Sequence, residues 1–191
     1  IGTQEYGWNF LGTDVNPVSI QSAEAIVKAN PVLRSKVRFK HQVSSKNIFK
    51  NIIDPTDRFD ATLCNPPFHA SLVDAQAGTK RKWNNLGKSD PNKKAHEKQL
   101  VNFGGQGAEL WCDGGEIAFT EKMIEESALF QKQCFWFSTL ASREEALPKI
   151  YQFLKKAKVI SYKTLDMAQG QKKSRVIAWT FLEPEEQLAW R

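Results

Sequence analysis

The sequence predicts an α/β protein with a doubly wound, mostly parallel sheet and one antiparallel strand near the C-terminus. Three observations support this fold class. Predicted strands alternate with predicted helices through most of the chain, one strand is strongly apolar, and the last two strands follow each other without a helix. With 191 residues, 41% of them hydrophobic, the chain can build one sizeable core, and we expect residues 1–191 to form a single domain.

The first part of the chain predicts a strand, a helix and a second strand. Residues 8–14 form a short strand that ends in Asp14, and Asn16-Pro17 then supplies a helix cap followed by a proline at the first helical position. Asn30-Pro31 ends this helix, because a residue that precedes proline avoids helical backbone angles. Residues 36–40 alternate apolar and basic side chains, as a half-exposed strand does.

The central part contains a strand, a long irregular segment and a buried strand. Residues 60–64 predict a mostly apolar strand that runs into Asn65-Pro66-Pro67-Phe68, where two prolines end strand pairing. Residues 69–115 show no sustained periodicity, so we expect a long, basic, glycine-containing loop insertion. After a helix over 117–130, the apolar run 134–140 predicts a strand that is buried on both faces.

The last part predicts a helix and a hairpin. An apolar stripe over residues 147–154, with Pro148 near its start, indicates a helix. Strands are expected over 159–167 and 176–182, with a polar loop between them over 168–175. Because no helix separates these strands, they pair as a hairpin and bring one antiparallel strand into the sheet.

The positive charge is local. The chain has 27 basic and 21 acidic residues, a net charge of +6. Residues 79–98 hold Asp90 and Glu97 against seven basic residues: Lys80, Arg81, Lys82, Lys88, Lys93, Lys94 and Lys98. A second basic run consists of Lys172, Lys173 and Arg175. Such patches suit the phosphates of a nucleic acid, and a solvated loop is the alternative that charge alone leaves open.

Composition also bounds the location of the protein. No window approaches 18 consecutive apolar residues, and the sequence shows no basic start followed by an apolar run and a small-residue cleavage site. The three cysteines, Cys64, Cys112 and Cys134, are odd in number and far apart, which favours neither a disulfide framework nor a metal site. We expect a cytoplasmic protein with no membrane partner and no metal.

Asn65-Pro66-Pro67-Phe68 is the segment that points most directly to chemistry. Its two prolines fix the backbone and remove two N–H donors, so the loop offers the Asn65 side-chain oxygen and the Pro66 carbonyl oxygen as acceptors. Together they can hold the two hydrogens of a planar exocyclic amine, and Phe68 can stack on the base. A rigid strand exit with a core phenylalanine is the alternative reading of this segment.

Four segments of the sequence carry a resemblance to a known family. The segments NFLGTDVNP, FDATLCNPPFH, NFGGQGAELWCDGGE and DMAQGQKKSRVIAWTF resemble the ribosomal RNA large subunit methyltransferase F family, which methylates N6 of an adenine in 23S rRNA. This family is related to the methyltransferase-like enzymes of U6 snRNA. The resemblance implies a Rossmann-like, class I methyltransferase that uses S-adenosylmethionine and acts on 23S rRNA or a large-subunit assembly intermediate. We expect it to act as a monomer.

The resemblance also implies roles for individual residues. Asp14 matches the acidic residue that binds the cofactor ribose, Ser45 lies in a loop that approaches the cofactor adenine, and Asn65 faces both cofactor and amine. Pro66, Pro67 and Phe68 complete the amine-holding motif. The basic residues of the two charged runs are expected to hold RNA: Lys80, Arg81, Lys82, Lys172, Lys173 and Arg175. For Asp14, a charge interaction with the following helix N-terminus is left open.

Several functions remain open at this point. The glycine-rich first motif of the family is not found in the sequence, which begins at Ile1, so we expect a domain truncated at its N-terminus. Guanine-N2 methylation of rRNA and methylation of a protein glutamine also place an NH2 group on an Asn-Pro-Pro loop. An RNA-binding fragment without catalysis is the third alternative. His69 and His96 are not expected to act as bases, because a lone histidine beside a motif more often packs or donates a hydrogen bond.

Overall fold

The computed structural model describes residues 1–71, 73, 110–169 and 172–190. Within them the chain divides into two compact units, residues 1–57 and residues 58–191, and each is described by itself. The expected RNA contacts Lys80, Arg81 and Lys82, and also His96, lie outside the described residues. The helices of the described residues are α1 Gly2–Glu5, α2 Pro17–Ala29, α3 Pro31–Arg34, α4 Gly115–Ser127, α5 Leu147–Lys156 and α6 Pro184–Ala189. The strands are β1 Phe10–Asp14, β2 Val37–His41, β3 Phe59–Ala61, β4 Cys134–Ala141, β5 Ser161–Gln169 and β6 Lys172–Thr180.

The first unit is built on two parallel strands joined through α2. β1 and β2 pair from Phe10 opposite Val37 to Asp14 opposite His41. The predicted helix cap is confirmed, because the Asn16 side chain accepts a hydrogen bond from the backbone N–H of Val18 at 2.9 Å. This cap fixes where the chain leaves β1 and turns into α2.

The second unit contains a four-stranded mixed sheet in the order β3-β4-β6-β5. β3 and β4 are parallel, and β6 pairs antiparallel with both β4 and β5. The expected antiparallel hairpin strand is therefore present, and it lies between its hairpin partner and the parallel strands. The described residues therefore form an α/β protein with a mixed sheet, which agrees with the fold class expected from the sequence.

One face of this sheet is covered by α4 and α5. The Trp179 ring stacks on Phe137 with ring centroids 6.0 Å apart, and its indole N–H donates to Ser127 Oγ on α4 at 3.0 Å. Tyr151 of α5 stacks on Tyr162 of β5. The apolar side chains that are fully buried here belong to both helices and both central strands: Phe137, Ile124, Met123, Ile150, Leu154, Ile177 and Trp179. Their burial supplies most of the hydrophobic stabilisation of this unit.

The prediction of a polar loop over residues 168–175 is wrong. β5 and β6 pair continuously from Ser161 opposite Thr180 to Gln169 opposite Lys172, so most of those residues belong to strands. The last pair between β6 and β4 joins Arg175 and Ala141, and the hairpin continues for three more residue pairs beyond it. These pairs extend past the last residue of β6 that pairs with β4, and their sequence lacks the apolar alternation of a sheet strand.

Candidate functional site

Asn65 lies at the end of a strand that stays hydrogen-bonded up to the preceding residue. Beyond β3, Thr62 N donates to Trp136 O at 2.8 Å, and Leu140 N donates to Cys64 O at 2.9 Å. The side chain of Ser138 adds a bond to Thr62 O at 2.5 Å. The two strands thus run side by side to the point where the Asn-Pro-Pro-Phe motif begins.

The four residues of the motif have different environments. The Asn65 side chain is exposed, Pro66 and Pro67 are buried, and Phe68 is half-buried. Among the residues that the structure describes, the Asn65 carboxamide and the Pro66 carbonyl oxygen have no hydrogen-bond partner. The buried prolines hold the backbone of the loop, and no described residue bonds to the two acceptors expected from the sequence.

The residues after the motif pair with a segment that is distant in sequence. His69 forms a parallel bridge with Trp111: its N–H donates to Leu110 O at 3.1 Å, and its carbonyl oxygen accepts from Cys112 N at 3.1 Å. The two ends of the expected loop insertion, residues 69–115, therefore meet beside the motif. His69 contributes to this bridge through its backbone.

A tight turn connects this bridge to α4. Gly114 and Gly115 both have positive φ, at 76° and 63°, so they enter the helix through left-handed backbone. A Cβ on Gly115 would lie 3.1 Å from Ala70 N, which shows how closely the turn approaches the chain leaving the motif. The sequence placed this pair inside the expected loop insertion over 69–115, and in the structure it permits close backbone packing at the start of α4.

Glu116 is the residue of this site that sequence reasoning missed. It is 5% exposed, and its two carboxylate oxygens accept from Ser142 N at 2.5 Å and from Ser142 Oγ at 2.6 Å. Ser142 directly follows β4. The only signal in the sequence was a glutamate in the first turn of a predicted helix, a position that helix dipoles favour in any protein.

Asp14 and Ser45 belong to the first unit. Asp14 ends β1, and its Oδ1 accepts a hydrogen bond from Asn16 N at 2.7 Å, which fixes the carboxylate beyond the strand end. Ser45 is exposed in a turn that the buried side chain of Gln42 supports, because Gln42 Nε2 donates to Lys50 O at 2.8 Å and its Oε1 accepts from Ser44 N at 3.2 Å. Gln42 was not singled out from the sequence.

Among the three basic residues of the hairpin, the structure describes the side-chain surroundings of Arg175. Lys172 and Lys173 lie at the hairpin end, opposite Gln169 and Ala168. The Arg175 side chain is 13% exposed, and its guanidinium pairs with Glu144 at 2.8 Å and Asp166 at 3.1 Å. The geometry of Arg175 supports a role inside the fold, because two carboxylates already neutralise its charge.

The cysteines near the motif are protonated thiols. Burial raises the pKa of Cys64 to about 11 and that of Cys134 to about 12, because a thiolate is poorly solvated there. Burial also raises the pKa of Cys112, next to the glycine turn. Because their pKa values are raised, these thiols are not favoured as nucleophilic thiolates or as thiolate metal ligands near neutral pH. Within the described ranges, no group of three or more His, Cys, Asp or Glu residues is placed to hold a metal ion, and no helix there is long and apolar enough to cross a membrane.

The fold and the motif together define a class of protein. The hMettl16 catalytic domain in complex with the MAT2A 3'UTR hairpin 1 superposes with a TM-score of 0.74 at 23% identity, covering 96% of this chain and 59% of that one. The N-terminal domain of human METTL16 in complex with SAH superposes with a TM-score of 0.66 at 20% identity, covering 95% and 55%. The fold is therefore that of a methyltransferase domain.

Sequence comparison gives the family. Residues 1–183 match the family model described as RNA methyltransferase, and the chain belongs to this family. It is 48% identical over 191 residues to the ribosomal RNA large subunit methyltransferase F of Yersinia enterocolitica, covering all of this chain and 56% of that protein. It is 50% identical over 190 residues to the protein of the same name from Serratia proteamaculans, covering 55% of it. The chain spans about half the length of the curated relatives it matches.

Proposed function

We propose that the protein transfers a methyl group from S-adenosylmethionine to the exocyclic N6 amine of one adenine in 23S rRNA. The observation that carries the proposal is the placement of the Asn65 carboxamide and the Pro66 carbonyl oxygen, two acceptors without a partner among the described residues, at the end of a hydrogen-bonded strand. The names of the relatives indicate ribosomal RNA of the large subunit as the substrate class. The structure of the N-terminal domain of human METTL16 in complex with SAH supports S-adenosylmethionine as the cofactor.

In this proposal the protein acts by positioning. S-adenosylmethionine supplies an electrophilic methyl group when bound. Asn65 and Pro66 accept the two N–H groups of the amine, which directs its lone pair and stabilises the positive charge that develops on nitrogen. Phe68 stacks on a base that has left its helix, so single-stranded or looped RNA is the substrate. The amine loses its proton to solvent after methyl transfer.

The cofactor-binding roles are proposed for residues that fit the ligand. The Asp14 carboxylate stands beyond β1, oriented by the Asn16 N–H, and a carboxylate is the natural acceptor for ribose hydroxyls. Ser45 is exposed at a turn, as a contact of the cofactor adenine requires. Each role is tested separately by substitution in the intact protein.

We propose RNA contacts for the lysines of the hairpin and for the basic run over 80–82, whereas Arg175 is ion-paired within the fold. We propose that Lys172 and Lys173, at the end of the hairpin, contact phosphates of 23S rRNA or of an assembly intermediate. Lys80, Arg81 and Lys82 are proposed to do the same. Neutralising either set weakens RNA binding and reduces its dependence on salt, because fewer counterions are released.

The test is methyl transfer by the intact protein to a 23S rRNA fragment, with labelled S-adenosylmethionine and nucleoside analysis of the product. We expect label in N6-methyladenosine, lost when the target adenine is replaced. Label in N2-methylguanosine or in protein glutamine would refute the adenine assignment. RNA binding without any label would instead favour a binding protein that does not catalyse.

A further inference from the structure

The Asn-Pro-Pro-Phe loop is held at both of its ends by backbone hydrogen bonds. Before the loop, Cys64 O accepts from Leu140 N of β4 at 2.9 Å. After the loop, His69 exchanges two bonds with the segment that leads to α4, at 3.1 Å each. The position of Asn65 therefore depends on two supports, β4 on one side and the start of α4 on the other.

Glu116 joins these two supports. Ser142, which donates both of its hydrogen bonds to Glu116, lies two residues after Leu140. Gly115, the residue before Glu116, packs against the backbone of Ala70, immediately after the loop and its bridge. The hydrogen bonds and this contact close a ring around the motif, in which the Glu116 side chain joins the start of α4 to the end of β4.

The chemistry of this link makes it stiff. The Glu116 carboxylate is buried and accepts two short bonds from one residue, so it fixes both distance and orientation between the two segments. A positioned amine is sensitive to small displacements, since about 1 Å of misplacement can reduce a rate about a hundredfold. Loss of the Glu116 side chain would loosen the connection between β4 and the start of α4, and the loop between them could then shift by such a distance.

We infer that Glu116 is a positioning residue for the proposed methyl transfer, acting through Ser142 and Gly115 on the acceptors of the Asn-Pro-Pro-Phe loop. The inference rests on the proposed function. It assigns Glu116 no contact with RNA or cofactor. Its loss is expected to lower kcat and to leave the KM values for RNA and S-adenosylmethionine within about twofold, because binding contacts are not removed.

The helix that carries Glu116 offers a matched control. Ser127, in the last turn of α4, is fully buried and accepts the indole N–H of Trp179 at 3.0 Å. Ser127→Ala and Ser142→Ala each remove one hydroxyl that bonds to or from α4. Only Ser142 belongs to the ring around the motif, so the pair separates a loss of stability from a loss of positioning.

The experiment uses the intact protein with Glu116→Ala, Glu116→Gln, Ser142→Ala and Ser127→Ala, at a temperature well below each melting point. Steady-state methyl transfer is measured together with hydrogen exchange of the peptides that cover residues 64–70. We expect kcat to fall about a hundredfold for Glu116→Ala and by a smaller factor for Glu116→Gln, which keeps one acceptor. We expect kcat to fall in Ser142→Ala as well. The backbone N–H groups within residues 64–70 should exchange faster in all three variants.

Ser127→Ala is expected to lower the melting temperature and to change neither kcat nor exchange over 64–70. The inference would be overturned if Ser127→Ala and Ser142→Ala lost the same fraction of kcat for the same drop in melting temperature. An unchanged kcat in Glu116→Ala would also overturn it. If the wild-type protein methylates no adenine, the proposed function fails. In that case the exchange data still decide whether Glu116 holds the loop: accelerated exchange supports the link, and unchanged exchange refutes it.

Discussion

Replacing Asn65 with alanine separates the proposed chemistry from the fold. The Asn65 side chain is exposed and has no hydrogen-bond partner among the described residues. Its removal creates no cavity and leaves no buried polar group unpaired. We therefore expect the free energy of unfolding to change by no more than about 0.5 kcal/mol, as for surface substitutions away from special features.

The expected loss of rate is much larger. Asn65 Oδ1 is one of two oxygens proposed to face the amine, and the two buried prolines fix the backbone that follows Asn65. Removing one preorganised partner of a developing charge typically lowers kcat about 10²–10³-fold, or about 3–4 kcal/mol. The Pro66 carbonyl oxygen remains, so we expect residual activity.

The assay is the single-turnover rate of methyl transfer to a 23S rRNA fragment, with RNA affinity measured by titration at the same ionic strength. Asn9→Ala is the matched control, because Asn9 is also exposed and precedes β1. We expect RNA affinity to stay within about twofold for both variants. A loss of RNA affinity as large as the loss of rate, or an unchanged rate, would refute the reasoning.

Three further predictions concern backbone, cofactor and thiols. Gly115→Ala should destabilise the protein more than Gly7→Ala in urea denaturation: both sites have positive φ, worth about 1–2 kcal/mol for a non-glycine residue, but only a Cβ at Gly115 meets backbone at 3.1 Å. Asp14→Asn should weaken S-adenosylmethionine binding about tenfold in calorimetry, and an unchanged affinity would assign Asp14 to its local turn. Because burial raises the pKa of Cys64 to about 11, the protonated thiol favours the folded state, so the free energy of unfolding should fall as pH rises from 9 to about 11, and Cys64→Ala should flatten this fall.

Local signals in the sequence were sufficient for the elements that present Asn65. The cap at Asn16-Pro17, the apolar run of β4 and the two prolines after β3 each act within a few residues, and the structure confirms all three. The class of fold followed from the order of these elements. Local patterns of this kind predict the structure correctly because intrinsic propensity and burial favour the same conformation at each position.

The ring of contacts around the Asn-Pro-Pro-Phe motif depends on residue pairs that no local sequence pattern predicts. His69 and Trp111 pair although about forty residues separate them, and neither lies in a run of strand-forming residues. Glu116 and Ser142 are polar residues that the sequence would place on the surface, yet one is buried against the other. Such pairs are specified by the packing of β4 against α4, which only the folded chain brings together.

The hairpin shows how counting charges can mislead. Lys172, Lys173 and Arg175 form one basic run in the sequence, but Arg175 sits at the last pair between β6 and β4 and is held by two carboxylates from other parts of the chain. Its charge is balanced there, and its guanidinium ties the hairpin to the end of the sheet. The hairpin extends three residue pairs beyond this tie, and the two lysines lie in that extension. The ion-paired arginine thus helps to hold the strands that carry the two lysines proposed to contact RNA.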